Sequence, residues 1–142
     1  MASSRGLQFR RIDLHTHTPA SACYKHDHTP EEIVRTALKK GMDAIAVTDH
    51  NTAAWIDAMK EAAETVEMAG RRLVIFPGVE ISLHEGYHVI ALFDPSVEQG
   101  EVENFLGAIG ITPAEYGKSD TVCDKSIFDV LNIIHKRGGL AV

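Results

Sequence analysis

Short apolar segments alternate with segments of helical periodicity along most of this 142-residue chain. Apolar residues at helical spacing indicate amphipathic helices, and short apolar runs bounded by turn residues indicate strands. Strands are predicted at residues 9–17, 43–47, 73–76, 87–93 and 140–142, and helices at 30–40, 53–69, 102–109 and 127–137. This order is typical of an α/β fold with a largely parallel sheet or barrel.

The segment around residue 30 carries a complete signal for the start of a helix. Thr29 and Glu32 have the spacing of a capping box, and Pro30 occupies the expected first helical position. For the next helix, Asn51 or Thr52 is the expected cap.

Composition excludes several classes of protein. Hydrophobic residues make up 44% and charged residues 24%, as in a globular domain, and no apolar run approaches the about 20 residues of a membrane helix. The formal net charge of −6 argues against an exposed basic surface for nucleic acid or an anionic membrane. Cys23 and Cys123 lie far apart and form no CxxC motif. Residues 1–6 lack the apolar core of a signal peptide, so we expect a cytoplasmic protein.

Eight histidines stand beside one tryptophan and three tyrosines, and two of them, His15 and His17, end the first predicted strand. Residues two apart in a strand point to the same face, so these imidazoles can converge on one cation at metal–nitrogen distances of about 2.0–2.1 Å. Asp13 is expected to share that face and to orient a ligand. A pair of polar strand residues facing solvent explains the two histidines equally well.

Further candidates follow the next strands. Asp49 and His50 come after the second strand, Glu80 after the third, and His88 opens the fourth. The carboxyl ends of parallel strands meet at one edge, where sites assemble. Imidazoles mixed with carboxylate suit zinc, manganese or iron better than magnesium or calcium, and Glu80 could bridge two cations about 3.5–4 Å apart. Taken singly, Glu80 is better explained as an exposed carboxylate and His88 as a core histidine.

Three segments carry a more specific pattern: DLHTHT at residues 13–18, VTDHN at 47–51 and PGVEIS at 77–82. In order and spacing they resemble the first three motifs of the PHP (polymerase and histidinol phosphatase) family. The resemblance implies an α/β fold that is the N-terminal portion of a distorted (β/α)7 barrel, with largely parallel strands. It also implies phosphoesterase activity at a centre of two or three divalent metal ions, with zinc, manganese or iron as the candidates.

The resemblance further assigns roles residue by residue. The implied ligands are His15, His17 and Glu80 for one metal, Glu80 and His88 for a second, and His50 for a third. Asp13 and Asp49 are the expected catalytic residues, which orient ligands or relay protons. The expected nucleophile is a metal-bound hydroxide that attacks phosphorus.

At two points the chain departs from this family. Many members carry an Asp or His ligand where this chain has Ala22 and Cys23, so Cys23, His26 or His28 is the expected substitute unless the segment is a solvated loop. A Cys23 thiolate would favour zinc. The chain ends in its last predicted strand, before the later ligands of the family. We therefore expect residues 1–142 to be a single PHP-type domain truncated at its C-terminal end, with weak or no activity on its own.

The predicted function is the hydrolysis of a phosphorylated small molecule or nucleotide. A nucleic-acid substrate is possible, but the acidic composition gives it no support; no membrane partner is expected, and the oligomeric state stays open. The alternative, motivated by Ala22 and Cys23, is a metal-binding structural or regulatory PHP module with little turnover, within a larger nucleotide- or DNA-processing protein. A third candidate, an amide or imine hydrolase on a similar barrel, would act on cyclic amides instead.

Overall fold

The computed structural model describes residues 9–142, so the segment 1–6, for which we predict no signal peptide, lies outside the described residues. The elements follow in the order β1 (Ile12–Thr16), α1 (Pro30–Lys39), β2 (Ala44–Val47), α2 (Ile56–Thr65), β3 (Val74–Leu83), β4 (His88–Leu92), α3 (Gln99–Ile109), a short 3-10 helix (Pro113–Glu115), β5 (Val122–Cys123), α4 (Ile127–Lys136) and β6 (Leu140–Ala141). The sequence does not predict β5. No helix in residues 9–142 is long and apolar enough to cross a membrane.

One sheet holds all six strands in the spatial order β1-β2-β3-β4-β6, with β5 paired to the C-terminal end of β3. The pairs β1–β2, β2–β3 and β3–β5 are parallel, whereas β4 pairs antiparallel with both β3 and β6. Within residues 9–142 the sheet does not close on itself, because β1 and β6 are its two outer strands. This α/β architecture with a largely parallel, unclosed sheet confirms the predicted fold class.

β3 is longer than the sequence predicts, because it continues past Pro77 to Leu83. Pro77 has no N–H to donate, but it lies where the ladder with β2 ends and the ladder with β4 begins. The next residue, Gly78, approaches β4 closely, since a Cβ there would lie 2.8 Å from the carbonyl oxygen of Ala91. Glu80 therefore lies within a strand and not after one.

α1 begins as predicted. The N–H of Glu32 donates to the hydroxyl of Thr29 (3.3 Å), and the N–H of Thr29 donates to the carboxylate of Glu32 (2.9 Å). Pro30 is the first helical residue. The capping box thus fixes the point at which the preceding loop ends and α1 begins.

The start of α2 differs from the prediction, because the helix begins at Ile56 and has no side-chain cap. The hydroxyl of Thr52 accepts a hydrogen bond from the N–H of Ala54 (3.2 Å) within the turn before the helix. Asn51 adopts a positive φ of 51°, and its Nδ2 donates to the carbonyl oxygen of Lys118 (2.9 Å). Asn51 therefore joins two loops instead of capping the helix.

The apolar core lies between the sheet and its helices. Ile56 of α2 and Phe105 of α3 are fully buried in one cluster with Val79 and Ile81 of β3. Burying an apolar side chain of this size stabilises the fold by about 1.5–3 kcal/mol. Because successive strand residues point to opposite faces, Glu80 lies on the face of β3 away from this core.

Candidate metal centre

The predicted ligand residues reach one place from four strands. His15 lies in β1 and His17 follows it, His50 follows β2, Glu80 lies within β3, and His88 opens β4. An isolated parallel bridge between His50 and Glu80 extends the ladder of β2 and β3. The backbone therefore sets the spacing of these two residues, and the carboxylate of Glu80, which is 6% exposed, lies among the four imidazoles.

The two carboxylate oxygens of Glu80 face different histidines. Oε2 lies 3.1 Å from Nε2 of His15, 3.2 Å from Nε2 of His17 and 3.4 Å from Nδ1 of His50. Oε1 lies 3.0 Å from Nδ1 of His88. A cation at each oxygen would therefore have its own imidazole neighbours.

The β3–β4 hairpin brings His88 back to Glu80, as the prediction requires. Ser82 pairs with His88 in the antiparallel register, and Oγ of Ser82 lies 3.3 Å from Nδ1 of His88. Glu80 is two residues before Ser82 and shares its face, so the imidazole reaches it diagonally across the strands. The side chain of His88 is 56% exposed and forms the solvent side of the cluster.

Cations fit this cluster. Imidazole nitrogens and a carboxylate oxygen lie close together there, and few of these atoms have a proton with which to form hydrogen bonds to one another. Nε2 of His15 and Nε2 of His17 lie 3.0 Å apart and face the same oxygen of Glu80. His50 is 9% exposed, and among the described residues its buried Nδ1 has no partner with hydrogen-bond geometry, although Glu80 is near. An unpaired buried nitrogen costs about 1–3 kcal/mol. The ligand atoms of His15, His17 and Glu80 lie within 4.8 Å of one another, and this donor set suits zinc, manganese or iron.

A second group of candidate ligands contains Cys23. Its Sγ lies 3.8 Å from Nδ1 of His17, and the ligand atoms of His17, Cys23 and His50 all lie within 4.8 Å. Cys23 is exposed and forms no disulfide. His26 and His28 instead lie beside each other, with ring centroids 5.3 Å apart. Of the three expected substitutes, Cys23 alone falls in such a group within residues 9–142.

The surroundings of His17 favour its neutral form. Burial is the largest cause that lowers the pKa of His17; the neighbouring His50 lowers it further, and Glu80 acts in the opposite direction. Neutral imidazole is the form that binds metal. His17 is therefore suited to a cation before one is bound.

Asp49 is fully buried and supports the loop that follows β1. Its carboxylate accepts hydrogen bonds from the N–H of Thr18 (2.7 Å), the hydroxyl of Thr18 (2.5 Å) and the hydroxyl of Ser21 (2.7 Å). Burial raises the pKa of the Asp49 carboxyl, and these hydrogen bonds oppose the shift. The hydroxyl of Ser21 also lies 3.1 Å from Nδ1 of His17. Sequence reasoning assigns no role to Ser21, although it stands at the serine that precedes Ala22 and Cys23 in the family pattern.

Asp13 lies beside His15 in β1. The register between β1 and β2 shifts between Asp13 and Thr16, and Asp13 and His17 line the same pocket. The carboxylate of Asp13 accepts a hydrogen bond from the backbone N–H of His15 (3.1 Å). Asp13 therefore supports the main chain of β1 next to the cluster.

Gly117, another residue of this region, belongs to no sequence motif. Its N–H donates to the carbonyl oxygen of His50 (3.0 Å), and its own carbonyl oxygen accepts from the N–H of Ala22 (2.9 Å). Its φ is 76°, and a Cβ there would collide with the carbonyl oxygen of Ala20. The positive φ favours glycine, but a loop glycine alone gives no sign that it joins two loops of a site.

The sequence model of the PHP domain matches residues 13–132. The 5′–3′ exoribonuclease Rnm of Escherichia coli is 40% identical over 85 residues, which are 56% of this chain and 26% of the relative. This chain thus spans about a quarter of the length of that exoribonuclease. An uncharacterised protein of Methanocaldococcus jannaschii is 30% identical over 151 aligned positions, which cover 90% of this chain and 85% of the relative.

Solved structures share the fold. Endonuclease Q in complex with a 27-mer duplex carrying an abasic lesion has a TM-score of 0.69 and 17% identity, with 93% of this chain and 34% of that chain covered. The lesion-specific endonuclease PfuEndoQ from Pyrococcus furiosus has a TM-score of 0.70 and 15% identity, with 93% and 33% covered. At these identities the likeness concerns the fold alone. The match of the PHP-domain model over most of the chain shows that this chain belongs to the PHP family.

Proposed function

We propose that this chain holds a centre for metal-dependent phosphoester hydrolysis, with two or three divalent ions bound by His15, His17, His50, Glu80 and His88. The observation that carries the proposal is the buried carboxylate of Glu80, whose two oxygens face separate histidines at 3.0–3.4 Å. Membership of the PHP family and the exoribonuclease relative support the same class of reaction.

In this proposal Glu80 would contribute a ligand to both ion sites. His15 and His17 lie beside Oε2 and His88 lies beside Oε1, so each ion would have its own imidazoles. Paired ions about 3.5–4 Å apart supply charge stabilisation and an activated water to a phosphoryl displacement. Neutral imidazoles and a single carboxylate leave most of the positive charge uncompensated, so this centre would attract phosphate.

For Asp13 and Asp49 we propose a positioning role. Sequence reasoning leaves two roles open for them, the orientation of ligands and the relay of protons. The oxygens of Asp49 are occupied by donors from Thr18 and Ser21, and Asp13 accepts the backbone N–H of His15. These contacts favour orientation, because each carboxylate binds the backbone or a loop residue next to the histidines and not the imidazoles themselves.

For the expected substitute at Ala22 and Cys23, we propose Cys23. It is the candidate whose ligand atom lies close to His17 and His50, and its thiolate would prefer zinc to manganese. The same departure from the family supports the second candidate function, a structural or regulatory metal module with little turnover. Metal content and turnover separate these two functions.

The proposed substrates are phosphate esters of nucleotides or nucleic acids. The relative with 40% identity over 56% of this chain is named a 5′–3′ exoribonuclease, which favours RNA as the first nucleic acid to try. With a net charge of −6, the ions and not a basic surface would attract the phosphate. A phosphorylated small molecule is the comparison substrate.

The test measures metal binding before turnover, because the proposed ligands act on the ions directly. Calorimetric titration of the metal-free chain with Zn²⁺ or Mn²⁺ should find at least two equivalents in the wild type and at most one in Glu80→Gln. Ion-dependent hydrolysis of bis(p-nitrophenyl) phosphate and of a 5′-phosphorylated oligoribonucleotide should also be lost in Glu80→Gln. The matched control is His84→Gln, since His84 lies beside Glu85 (3.3 Å) and belongs to neither group of candidate ligands; this variant should leave both measurements unchanged.

Equal metal binding by the wild type and Glu80→Gln would overturn the proposed centre. One tightly bound ion, with no hydrolysis of any ester, would favour the structural or regulatory module. Turnover of cyclic amides without turnover of phosphate esters would favour an amide hydrolase.

A further inference from the structure

The hydroxyl of Ser21 connects Asp49 to two residues of the candidate metal centre. Its Oγ lies 2.7 Å from Oδ1 of Asp49, 3.0 Å from the backbone N of His50 and 3.1 Å from Nδ1 of His17. Ser21 is 1% exposed and Asp49 is 0% exposed. Three polar groups therefore share one buried hydroxyl.

A count of protons assigns the direction of each hydrogen bond. A serine hydroxyl has one proton to donate and two lone pairs to accept with. Asp49 takes both of its other bonds from donors, the N–H and the hydroxyl of Thr18, so its carboxylate acts as an acceptor throughout. The proton of Ser21 therefore goes to Asp49, at the shortest of the three distances. Both lone pairs of Ser21 remain for the N–H of His50 and for a proton on Nδ1 of His17.

We infer that Ser21, oriented by Asp49, holds His17 in the tautomer that carries its proton on Nδ1, which leaves the lone pair of Nε2 free for a cation on the side of the ring that faces Glu80. Nε2 of His17 lies 3.2 Å from Oε2 of Glu80, which is the side of the ring where the proposed ions lie. The inference rests on the proposed function, and it makes Ser21 a positioning residue. Hydrogen bonds behind a metal-binding histidine fix its tautomer and orientation in this way.

This tautomer also decides between the two groups of candidate ligands, which share His17. Nδ1 of His17 is the nitrogen that lies 3.8 Å from Sγ of Cys23, and a protonated nitrogen has no lone pair for a cation. His17 therefore serves the group with His15 and Glu80. Cys23 is left with His50 as its neighbour among these imidazoles.

The tautomer can be measured on the metal-free 142-residue chain. Long-range ¹H–¹⁵N correlation spectra of the neutral imidazole distinguish a proton on Nδ1 from one on Nε2, and the loss of one set of peaks in His17→Gln assigns the residue. The wild type should show His17 protonated on Nδ1. Ser21→Ala should shift His17 towards the Nε2–H tautomer, and Ser21→Thr, which keeps the hydroxyl, should restore the wild-type pattern. Ser96→Ala, on an exposed turn with Asp94, is the matched control.

Metal binding gives a second readout. Zn²⁺ titration of Ser21→Ala should show an affinity about 10–100-fold below that of the wild type, which is the usual cost of removing a hydrogen-bond partner behind a ligand. Ser21→Thr should recover most of this affinity.

The wild-type spectrum alone can overturn the inference, even where Ser21→Ala does not fold. A proton on Nε2 of His17 would contradict it, whether or not the chain binds metal or hydrolyses esters. An unchanged tautomer in folded Ser21→Ala would contradict it as well. A wild type with the Nδ1–H tautomer but no bound Zn²⁺ or Mn²⁺ would instead overturn the proposed function.

Discussion

Two carboxylates near opposite ends of the parallel strands are surrounded by nitrogen atoms, but of different kinds. Asp43 precedes β2 at the amino end of the sheet. Glu80 is bridged to His50, which lies beyond the carboxyl end of β2. Asp43 accepts hydrogen bonds from the backbone N–H of Arg11 (2.9 Å) and the guanidinium of Arg71 (3.1 Å), and it pairs with Arg10 (3.5 Å). Each of these nitrogens carries a proton, so the Asp43 cluster is complete as it stands.

The nitrogens around Glu80 belong to imidazoles, each of which in its neutral form has one proton and one lone pair. His15 and His17 face the same oxygen, and the buried Nδ1 of His50 has no hydrogen-bond partner among the described residues. The Glu80 cluster is therefore short of positive charge, while the Asp43 cluster is not. A carboxylate among nitrogens is a structural ion pair when the nitrogens are donors, and a candidate ligand when they offer lone pairs.

The largest predicted difference between the clusters is their response to metal. Zn²⁺ at about 100 times its Kd should stabilise the wild type by about 2.7 kcal/mol for each bound ion, which corresponds to roughly 6–10 °C in Tm per ion for a chain of this size. Glu80→Gln should lose at least half of this increment, because it removes the carboxylate at the centre of the proposed metal site. Asp43→Asn should keep the increment although its metal-free Tm falls. Calorimetric scans with Zn²⁺ and with EDTA measure the difference.

If Asp43→Asn lost the increment as fully as Glu80→Gln, the two ends of the sheet would not act separately. The number of hydrogen-bond donors around each carboxylate would then not explain why Glu80, and not Asp43, binds metal.

A smaller effect is predicted at the loops that hold the carboxyl-end cluster. Gly117→Ala should destabilise the chain by about 1–3 kcal/mol, because alanine is strained at a positive φ and its Cβ would collide with the carbonyl oxygen of Ala20. It should also loosen the link between Ala22 and His50 and reduce the increment from Zn²⁺. Urea denaturation with and without Zn²⁺ measures both effects.

The matched control is Gly107→Ala, in α3, where an added Cβ has no neighbour within 4 Å. Replacing a helical glycine by alanine should stabilise the chain by about 0.5–1 kcal/mol, with the Zn²⁺ increment unchanged. The same loss of stability in both variants would show that the link through Gly117 has no special role.

The fold class and the residues that meet at the cluster could be predicted because they depend on local patterns. Apolar periodicity gives the elements in order, and parallel strands bring their carboxyl ends to one edge. His15 lies in β1 and His17 directly follows it, and His50 lies three residues after the end of β2. His88 fits this local reasoning less well, because a turn must bring it back, and its place beside Glu80 is implied by the resemblance to the PHP family.

The remaining features depend on contacts between distant segments. The register shift between Asp13 and Thr16 arises in the pairing of β1 with β2. The length of β3 through Pro77 depends on the change of partner from β2 to β4. Ser21 and Gly117 matter through bonds to residues that are close only in the folded chain. Local periodicity cannot report any of these, because each is a property of two segments together.

The smallest predicted effect concerns the pH dependence of the Asp43 cluster. The backbone N–H of Arg11, and after it the guanidinium of Arg71, hold the pKa of Asp43 below its ordinary value of 3.8. A carboxyl whose pKa is lower in the folded chain contributes stability that is present above the unfolded-state pKa and is lost as the pH falls through the folded-state pKa. The wild type should therefore lose its advantage over Asp43→Asn between about pH 4 and about pH 2, as urea denaturation of the metal-free chains can measure. If the advantage stayed constant over this range, the negative charge of Asp43 would not contribute to stability. The contrast with Glu80 would then depend only on the imidazoles around Glu80.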